Sequence, residues 1–341
     1  MDRREFFGAG LGAGLGVGAA AMLAGRQAQA APIAPSMMGR SVLDFGVEAN
    51  TETDQAPALQ RALNEIAASG HPAFLPPGVF HLGAFRFPDQ CTVNGLNAQS
   101  CLMMRRPLMF QPDRQDAALT FNGLRFSNGA QAYQSPIELG LGMAATLTLQ
   151  GGELSMQNCR FEEIIGPAVT IYDGRSTITA TTFDSINLAA ASAYGTKPIT
   201  IRDCRFSNCE IAIDVATTGN ADGAIVMNNT IAKCGEAGLI AKGRAILTAN
   251  IVTGCRNYGL KLGDANGTSH ILASQNSIVN CRVGIACEAE GDYIFATLNM
   301  IQGAKDGAIR AIADGKLVGP DLSQRSAESF RNLAIAGNVA L

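Results

Sequence analysis

Large apolar residues recur along the chain at a nearly constant spacing from residue 126 onward. After Phe161, successive members lie 21 to 26 residues apart, and each interval contains three short apolar runs separated by turn residues. This pattern predicts an all-β chain, a right-handed single-stranded parallel β-helix with three strands per coil. Coils stacked at the interstrand spacing of about 4.8 Å would place like residues above one another. The members of this row are Phe126, Phe161, Phe183, Phe206, Ile231, Val252, Ile278 and Ile301.

Two further rows share the same repeat. Three positions after the large apolar residue, four coils carry a cysteine, and two positions before it, four coils carry an asparagine. We expect the asparagine side chains to hydrogen-bond along the axis and the cysteines to fill the core. Glycines at 238, 259, 284 and 307 are expected to form bends that need a positive φ. The row members are Cys209, Cys234, Cys255 and Cys281, and Asn229, Asn250, Asn276 and Asn299.

Two other solenoid classes fit less well. A leucine-rich repeat has a similar period but requires leucine at most consensus positions, and those leucines are missing. Ankyrin-type repeats need about 33 residues and two helices. The long interval between Phe126 and Phe161 predicts a loop around 131–136 or an irregular coil.

Residues 31–90 form a different unit, which we interpret as a cap on the β-helix that occupies 91–341. A helix beginning at Thr53 or Asp54 and running to about Ser69 is predicted by apolar residues at helical spacing. The run from Ala73 to Phe80 then predicts strand, turn and strand. Such a helix can cover the open end of a β-helix, where backbone groups are unpaired and the core is bare.

The cap sequence resembles the N-terminal unit of pectate-lyase-like β-helix proteins. The resemblance is carried by Asp44-Phe45-Gly46, by Gln60 and Ala62 in the helix, and by the Pro-Pro-Gly-Val-Phe run at 76–80. The usual Asp-Gly after the first segment is replaced by Ala49-Asn50. The resemblance implies polysaccharide lyases, polygalacturonases and phage tailspikes as related classes.

Residues 1–30 have the features of an export signal. Arg3 and Arg4 precede Phe6, an uncharged Gly/Ala-rich stretch follows, and Ala28-Gln29-Ala30 has the form of a cleavage site. The arginine pair with Phe6 resembles the twin-arginine signal. We expect cleavage after Ala30, recognition by the twin-arginine export machinery, and a periplasmic protein with no stable membrane span after processing. Retention as an anchor is the alternative, although alternating glycines make a poor helix.

The signal together with the asparagine- and cysteine-bearing repeat resembles a narrower group. This is a family of twin-arginine-translocated repeat proteins of unknown function, and the resemblance covers nearly the whole chain. The resemblance implies a cofactor bound by the repeat, but the residues identify no ligand set for one.

The amino-acid composition argues against some classes of function. The chain is 47% hydrophobic and 16% charged, with a net charge of −3 and no basic stripe, which argues against a nucleic-acid partner. The nine cysteines include no C-x-x-C pair, and no histidine falls in register with the cysteine row, so no metal site is predicted. We expect reduced, buried thiols, because twin-arginine export follows folding in a reducing compartment.

Candidate site residues lie on the outer face of the strand that follows the glycine row, where the superfamily resemblance places the groove. Charged residues of both signs there suit an acidic sugar chain, proton abstraction or calcium binding. No catalytic residue set of the related enzymes is matched, so the catalytic residues are unassigned. The groove candidates are Asp173, Asp214, Lys242, Lys261, Glu288 and Arg310, with Arg175, Asp264 and Asp292 in nearby turns.

Three functions remain open at the level of sequence. The first is binding of a carbohydrate or another extended ligand along the outer face. The second is a polysaccharide lyase, hydrolase or epimerase with a non-standard site. The third is a structural scaffold that uses the rigid solenoid. The chain end, with an exposed last strand, predicts an edge-capping loop or self-association.

Overall fold

The computed structural model describes residues 38–96, 99–112, 114, 116–131, 145–219, 223–264, 269–289, 293–323 and 332–341. Three sequence predictions fall outside these residues. They are the signal with Arg3, Arg4, Phe6, Ala28 and Ala30, most of the loop at 131–136, and the turn residue Asp292.

The described part of the chain begins with a short strand and two helices. A 3₁₀ helix spans Val42–Phe45, and the helix α1 spans Ala56–Ala68. Leu59, Leu63 and Ile66 share the buried face of α1, which packs against the first strands of the solenoid. The predicted N-cap is wrong, because Gln55 occupies that position without a side-chain cap bond.

Asp54 instead joins the cap to the first coil. Its Oδ1 accepts hydrogen bonds from the backbone N–H of Ala56 at 2.9 Å and of Gly83 at 2.8 Å. One carboxylate oxygen therefore serves both the first turn of α1 and the loop after a core strand, which explains the acidic residue at this position.

The remainder is a right-handed parallel β-solenoid, which confirms the predicted fold class. Its strands form three rows, named here sheets 1, 2 and 3 in the order in which each coil visits them. Sheet 1 contains twelve strands, all paired in parallel. They are Arg40–Ser41, Ala73–Phe74, Gln90–Asn94, Ala118–Asn122, Glu153–Gln157, Arg175–Thr179, Ile199–Arg202, Ala224–Met227, Arg244–Thr248, His270–Ser274, Tyr293–Thr297 and Leu333–Ala336.

Sheets 2 and 3 are joined, because Thr182–Gly195 and Arg205–Thr217 run through both. The other strands of sheet 2 are Gly78–Leu82, Ser100–Met104, Leu124–Ser127, Arg160–Ile164, Thr230–Ala232, Ile251–Thr253, Ser277–Val279, Met300–Gln302 and Val339–Ala340. Those of sheet 3 are Leu108–Phe110, Leu147–Gln150, Val169–Tyr172, Ala237–Lys242, Tyr258–Leu262, Val283–Glu288, Ile309–Ala313 and Lys316–Val318.

The predicted large apolar row fills the core beneath sheet 2. Phe126, Phe161, Phe183 and Phe206 stack ring on ring, with centroids 4.6 to 5.1 Å apart and interplanar angles of 12° or less. The strand register continues the row through the β-branched residues of the later coils, all of which are buried. Residues one repeat apart in the sequence therefore lie directly above one another in the core, as the sequence predicts.

The asparagines form a hydrogen-bonded stack at the turn from sheet 1 to sheet 2. The Nδ2 of Asn276 donates to the Oδ1 of Asn299 and to the carbonyl of Leu247, both at 3.0 Å. Its Oδ1 accepts from the backbone N–H and the Nδ2 of Asn250, also at 3.0 Å. Asn338, which the repeat analysis did not include, extends the stack by one coil.

All nine cysteines are free and buried. The thiols of Cys209, Cys234 and Cys281 lie within hydrogen-bonding distance of backbone carbonyls two residues earlier. Burial raises the pKa of Cys209 to about 12, so its thiol is protonated at neutral pH. These thiols are suited to packing and poorly suited to nucleophilic chemistry.

The glycine row differs from its prediction. Gly238, Gly259 and Gly284 lie inside the strands of sheet 3 and do not have a positive φ. Glycine is required at these positions because a side chain does not fit between coils. A Cβ on Gly259, for example, would lie 2.6 Å from the carbonyl oxygen of Gly284 in the next coil. The predicted left-handed bend holds only for Gly307, with φ 126°.

Many left-handed positions of the solenoid turns are occupied by residues other than glycine. Each asparagine of the stack follows a left-handed position: Asn228, Ala249, Gln275, Leu298 or Gly337. A second row of such positions precedes the cysteines and contains Asn208, Lys233, Gly254 and Asn280. The hydrogen bonds of the stacked coils hold these residues in a conformation that they rarely adopt alone.

The C-terminal end is covered in part. Lys316–Val318 pairs antiparallel with Ile309–Ala313 and covers the last edge of sheet 3. Asp321 fixes this segment, since its carboxylate accepts from the backbone N–H groups of Ala308 and Ile309. This agrees with the predicted edge-capping loop for sheet 3.

Candidate functional site

The outer face of sheet 3 brings several groove candidates into one row. Strand register aligns Thr170, Ser192, Asp214, Ile240 and Lys261 in consecutive coils. Asp214 and Lys261 are thus two coils apart, about 10 Å along the axis at the interstrand spacing. The hydroxyl residues on one side of Asp214 are nearly inaccessible to solvent, so the row lies in a sheltered face.

Asp214 is held by a tyrosine from the preceding coil. The hydroxyl of Tyr194 donates to Asp214 Oδ2 at 2.8 Å. The ring of Tyr194 stacks on that of Tyr172, with centroids 5.6 Å apart and an interplanar angle of 28°. Parallel register places the two tyrosines over each other, so a single change of strand offset would separate them.

Two lysines face the Asp214 carboxylate from the following coils. Lys242 lies in register with Ala216, beside Asp214, and Lys261 lies in the Asp214 row. The Nζ of Lys261 lies 5.6 Å from the centroid of the Tyr258 ring, a cation–π contact that orients the side chain. The group therefore combines one carboxylate, three phenols and two ammonium groups.

Burial and the neighbouring groups shift the pKa of Asp214 in opposite directions. Burial raises the pKa of Asp214, while the hydrogen bond from Tyr194 and the charges of Lys242 and Lys261 act in the opposite direction. Burial, and then the Asp214 charge, raises the pKa of Tyr194. Tyr194 is accordingly a hydrogen-bond donor at neutral pH, and Asp214 is more basic than an exposed aspartate.

One oxygen of Asp214 has no donor. Among the described residues, none donates to Asp214 Oδ1, although this atom is buried. A buried acceptor without a partner costs about 1–3 kcal/mol. A hydrogen-bond donor placed beside Oδ1 would remove that cost.

Other predicted candidates have structural contacts or lie elsewhere. Asp173 occupies a left-handed turn, where its Oδ1 accepts from the backbone N–H of Thr196 at 3.0 Å. Arg310 donates to the carbonyls of Asp306 and Gly319 and fixes the C-terminal segment. Arg175 begins a strand of sheet 1, and Glu288 is buried at the far end of sheet 3.

Asp264 follows sheet 3 directly, at the end of the Tyr258–Leu262 strand. His270 is the first residue of a sheet 1 strand, where it stacks on Tyr293. It therefore lies on a different face of the solenoid from Asp214.

The tyrosines are the functional residues that sequence reasoning did not assign. Tyr172 and Tyr194 are 22 residues apart, and Asp214 follows 20 residues later, so all three recur close to the coil length. A search of the repeat for polar residues at outward positions would have brought them together. No group of three or more potential metal ligands occurs among the described residues.

Comparison with known proteins supports the fold. Residues 146–301 match the family model described as "Right handed beta helix region". This match agrees with the right-handed parallel β-solenoid described above. No curated protein matches the chain in sequence.

Several solved structures are similar to the chain at low identity. An A-module of a mannuronan C-5 epimerase from Azotobacter vinelandii is 13% identical, with a TM-score of 0.48, over 88% of this chain and 95% of that one. A family 28 exopolygalacturonase from Yersinia enterocolitica is 12% identical, with a TM-score of 0.49, over 88% and 65%. The adhesin PfbA of Streptococcus pneumoniae is 10% identical, with a TM-score of 0.45, over 88% and 96%.

Within the described part of the chain, no helix has both the length and the apolar character needed to cross a membrane.

Proposed function

We propose that the outer face of sheet 3 binds an acidic polysaccharide chain. The observation that carries this proposal is the buried Asp214 carboxylate, with one oxygen held by Tyr194 and the other without a donor, facing Lys242 and Lys261. The lysines would neutralise a sugar carboxylate, and Asp214 Oδ1 would accept from a sugar hydroxyl. A chain lying along the solenoid axis would meet both groups in successive coils.

Calorimetric titration with uronic-acid oligomers tests this proposal, with neutral oligomers of equal length as the comparison. Lys261→Met should weaken binding of the acidic oligomer by about tenfold, since one charge-assisted contact contributes about 1.4 kcal/mol. The matched control is Lys305→Met, which removes the same charge from an exposed turn outside the Asp214 row.

The pH dependence provides a second control for the same titration. As the pH falls through the raised pKa of Asp214, protonation removes a negative charge beside the anionic ligand, so binding should tighten. Asp214→Asn should remove this dependence. Equal affinity for neutral oligomers, or equal losses in Lys261→Met and Lys305→Met, would contradict the proposed site.

Catalysis on the same ligand is the second candidate function. Asp214 is a buried carboxylate whose pKa is raised, a property of general bases. In a lyase it would remove the proton from C5 of the uronate while a lysine neutralises the carboxylate. The electron pair of that C–H bond forms the C4=C5 double bond, the C4–O bond breaks, and the leaving sugar oxygen takes a proton from water. Appearance of unsaturated product with the native protein, and its loss in Asp214→Asn, would establish this activity. Binding without turnover leaves the protein a lectin-like solenoid.

We also propose that the protein is exported to the periplasm by the twin-arginine route, as a member of the translocated repeat family that its sequence resembles. The support is the Arg3-Arg4 pair with Phe6 and the Ala28-x-Ala30 site. Replacing both arginines with lysine should retain the precursor in the cytoplasm. A mature periplasmic product from this double variant would contradict the route.

A further inference from the structure

The outer face of sheet 1 changes character along the solenoid. In the later coils its central outward row consists of Ile225, Ile246, Leu272 and Phe295, aligned by strand register. These side chains are 39%, 44%, 39% and 48% exposed. Outward positions on a solvated sheet are normally polar, so four successive large apolar residues are unusual.

The same row is polar in the earlier coils. Register continues it backward from Ile225 through hydroxyl-bearing residues. They are Thr200, Thr177, Ser155, Thr120 and Thr92. The outer face of sheet 1 therefore has a hydrophilic half and an apolar half, although its backbone geometry is uniform. The fold itself does not require either kind of side chain at these outward positions.

The apolar half extends around the corner into sheet 2. Five further large apolar side chains are exposed by 44% to 59%: Tyr293 lies at the start of a sheet 1 strand, and the other four lie in sheet 2 or in the turn before it. With the four of the central row they form the surface named here the apolar face. The five are Ile251, Tyr293, Leu298, Met300 and Val339.

The charges around the apolar face limit the kind of partner that it can bind. The residues beside the central row on the sheet 2 side are Met227, Thr248, Ser274 and Thr297, none of them charged. On the other side, Arg244 is the single residue with a permanent charge among Arg244, His270 and Tyr293. A membrane-binding surface normally combines apolar residues with a fringe of lysine and arginine, whereas Arg244 is the single lysine or arginine among the residues named beside the central row.

The size of the face matches that of a protein interface. With roughly 180 Å² for a large side chain, exposed fractions of 39–59% for the nine residues give about 750 Å². A stable protein–protein interface buries about 800 Å² on each partner. The part of the face on sheet 1 is an open sheet surface, so it offers no cleft for a small molecule.

We propose that the apolar face binds a second copy of this chain through a two-fold axis. An identical face is apolar and of equal area, so each copy supplies the complement that the other requires. Two sheets packed face to face would lie about 10 Å apart with their outward side chains interleaved. The Asp214 group lies on sheet 3, so the dimer leaves it open.

Sedimentation velocity of the full chain tests the dimer. The native protein at about 20 µM should sediment with twice the mass of one chain. Leu272→Lys places a charge in the centre of the contact in both copies and should raise the dimer dissociation constant by about 100-fold. The matched control is Thr177→Lys, an outward substitution in the same row of the same sheet, which should remain dimeric.

A second measurement does not depend on the folding of a charged variant. The chain contains no tryptophan, so Phe295→Trp introduces a single tryptophan, which can be excited selectively, into the contact. Its emission should shift to the blue as protein concentration rises through the dissociation constant.

A native monomer at every concentration, with unshifted emission, would overturn the proposal. A dimer that persists equally in Leu272→Lys and Thr177→Lys would also overturn it. Monomers that bind neutral lipid vesicles through Phe295→Trp would assign the face to a membrane instead. Because sheet 3 is not involved, each of these outcomes is independent of the carbohydrate titration.

Discussion

Replacing Asn276 with alanine should lower the free energy of unfolding by about 4 kcal/mol, because four buried polar groups lose their partner at once. The backbone N–H and the Nδ2 of Asn250, the carbonyl of Leu247 and the Oδ1 of Asn299 all bond to this side chain. Denaturant unfolding followed by far-ultraviolet circular dichroism measures the change.

Asn338→Ala is the matched comparison within the same stack. Asn338 is the last member and is only partly buried, so water can reach the groups that its removal frees. We expect a loss of about 1 kcal/mol. Equal losses at the two positions would mean that the buried hydrogen bonds of the stack do not determine its stability.

Gly259→Ala should lower the free energy of unfolding by about 3 kcal/mol, because overpacking between coils strains side chain and backbone together. The added Cβ would lie 2.5 Å from Ile278 Cγ2 and 2.6 Å from the carbonyl oxygen of Gly284. Neither neighbour can move without shifting the next coil. Thermal and denaturant unfolding of the purified variant would measure the loss.

Gly254 provides the control that distinguishes a lack of room for a Cβ from a backbone conformation that favours glycine. Its φ is 69°, and no atom lies within 4 Å of the place where a Cβ would be. The equivalent positions of the neighbouring coils hold Lys233 and Asn280 in the same conformation. Gly254→Asn should therefore change stability by less than about 0.5 kcal/mol. A large loss there and none in Gly259→Ala would reverse the assignment of the two glycines.

The inward rows were predictable from sequence because burial constrains them strongly. Phe161, Ile231 and Asn276 recur at the coil length since each must fit against the same position in the next coil. The reason for the glycine row was wrong, because glycine was interpreted through turn conformation. Contact between neighbouring backbones, which the sequence does not display, is what excludes a Cβ at Gly259.

The outward faces were less predictable. Arg310 and Asp214 are both charged residues on the outward side of a sheet 3 strand, yet Arg310 bonds to the carbonyls of Asp306 and Gly319. Which residue meets a loop and which stays open depends on segments outside the repeat. Tyr194 gains its importance from a contact across coils, and the repeat spacing alone does not distinguish it from a surface tyrosine.

The asparagine stack also gives the solenoid a net dipole along its axis. From Asn229 to Asn299, one Nδ2–H of each amide donates to the next asparagine of the stack, and the Oδ1 of each following member accepts from the preceding coil. The second Nδ2–H bonds back to a backbone carbonyl. Backbone hydrogen bonds between coils alternate in direction, as from Ile251 to Asn229 and from Asn228 to Thr248, so their dipoles largely cancel. The amide dipoles instead add, which leaves a partial positive pole at the final coil and makes that end of the rod the one that favours an anion.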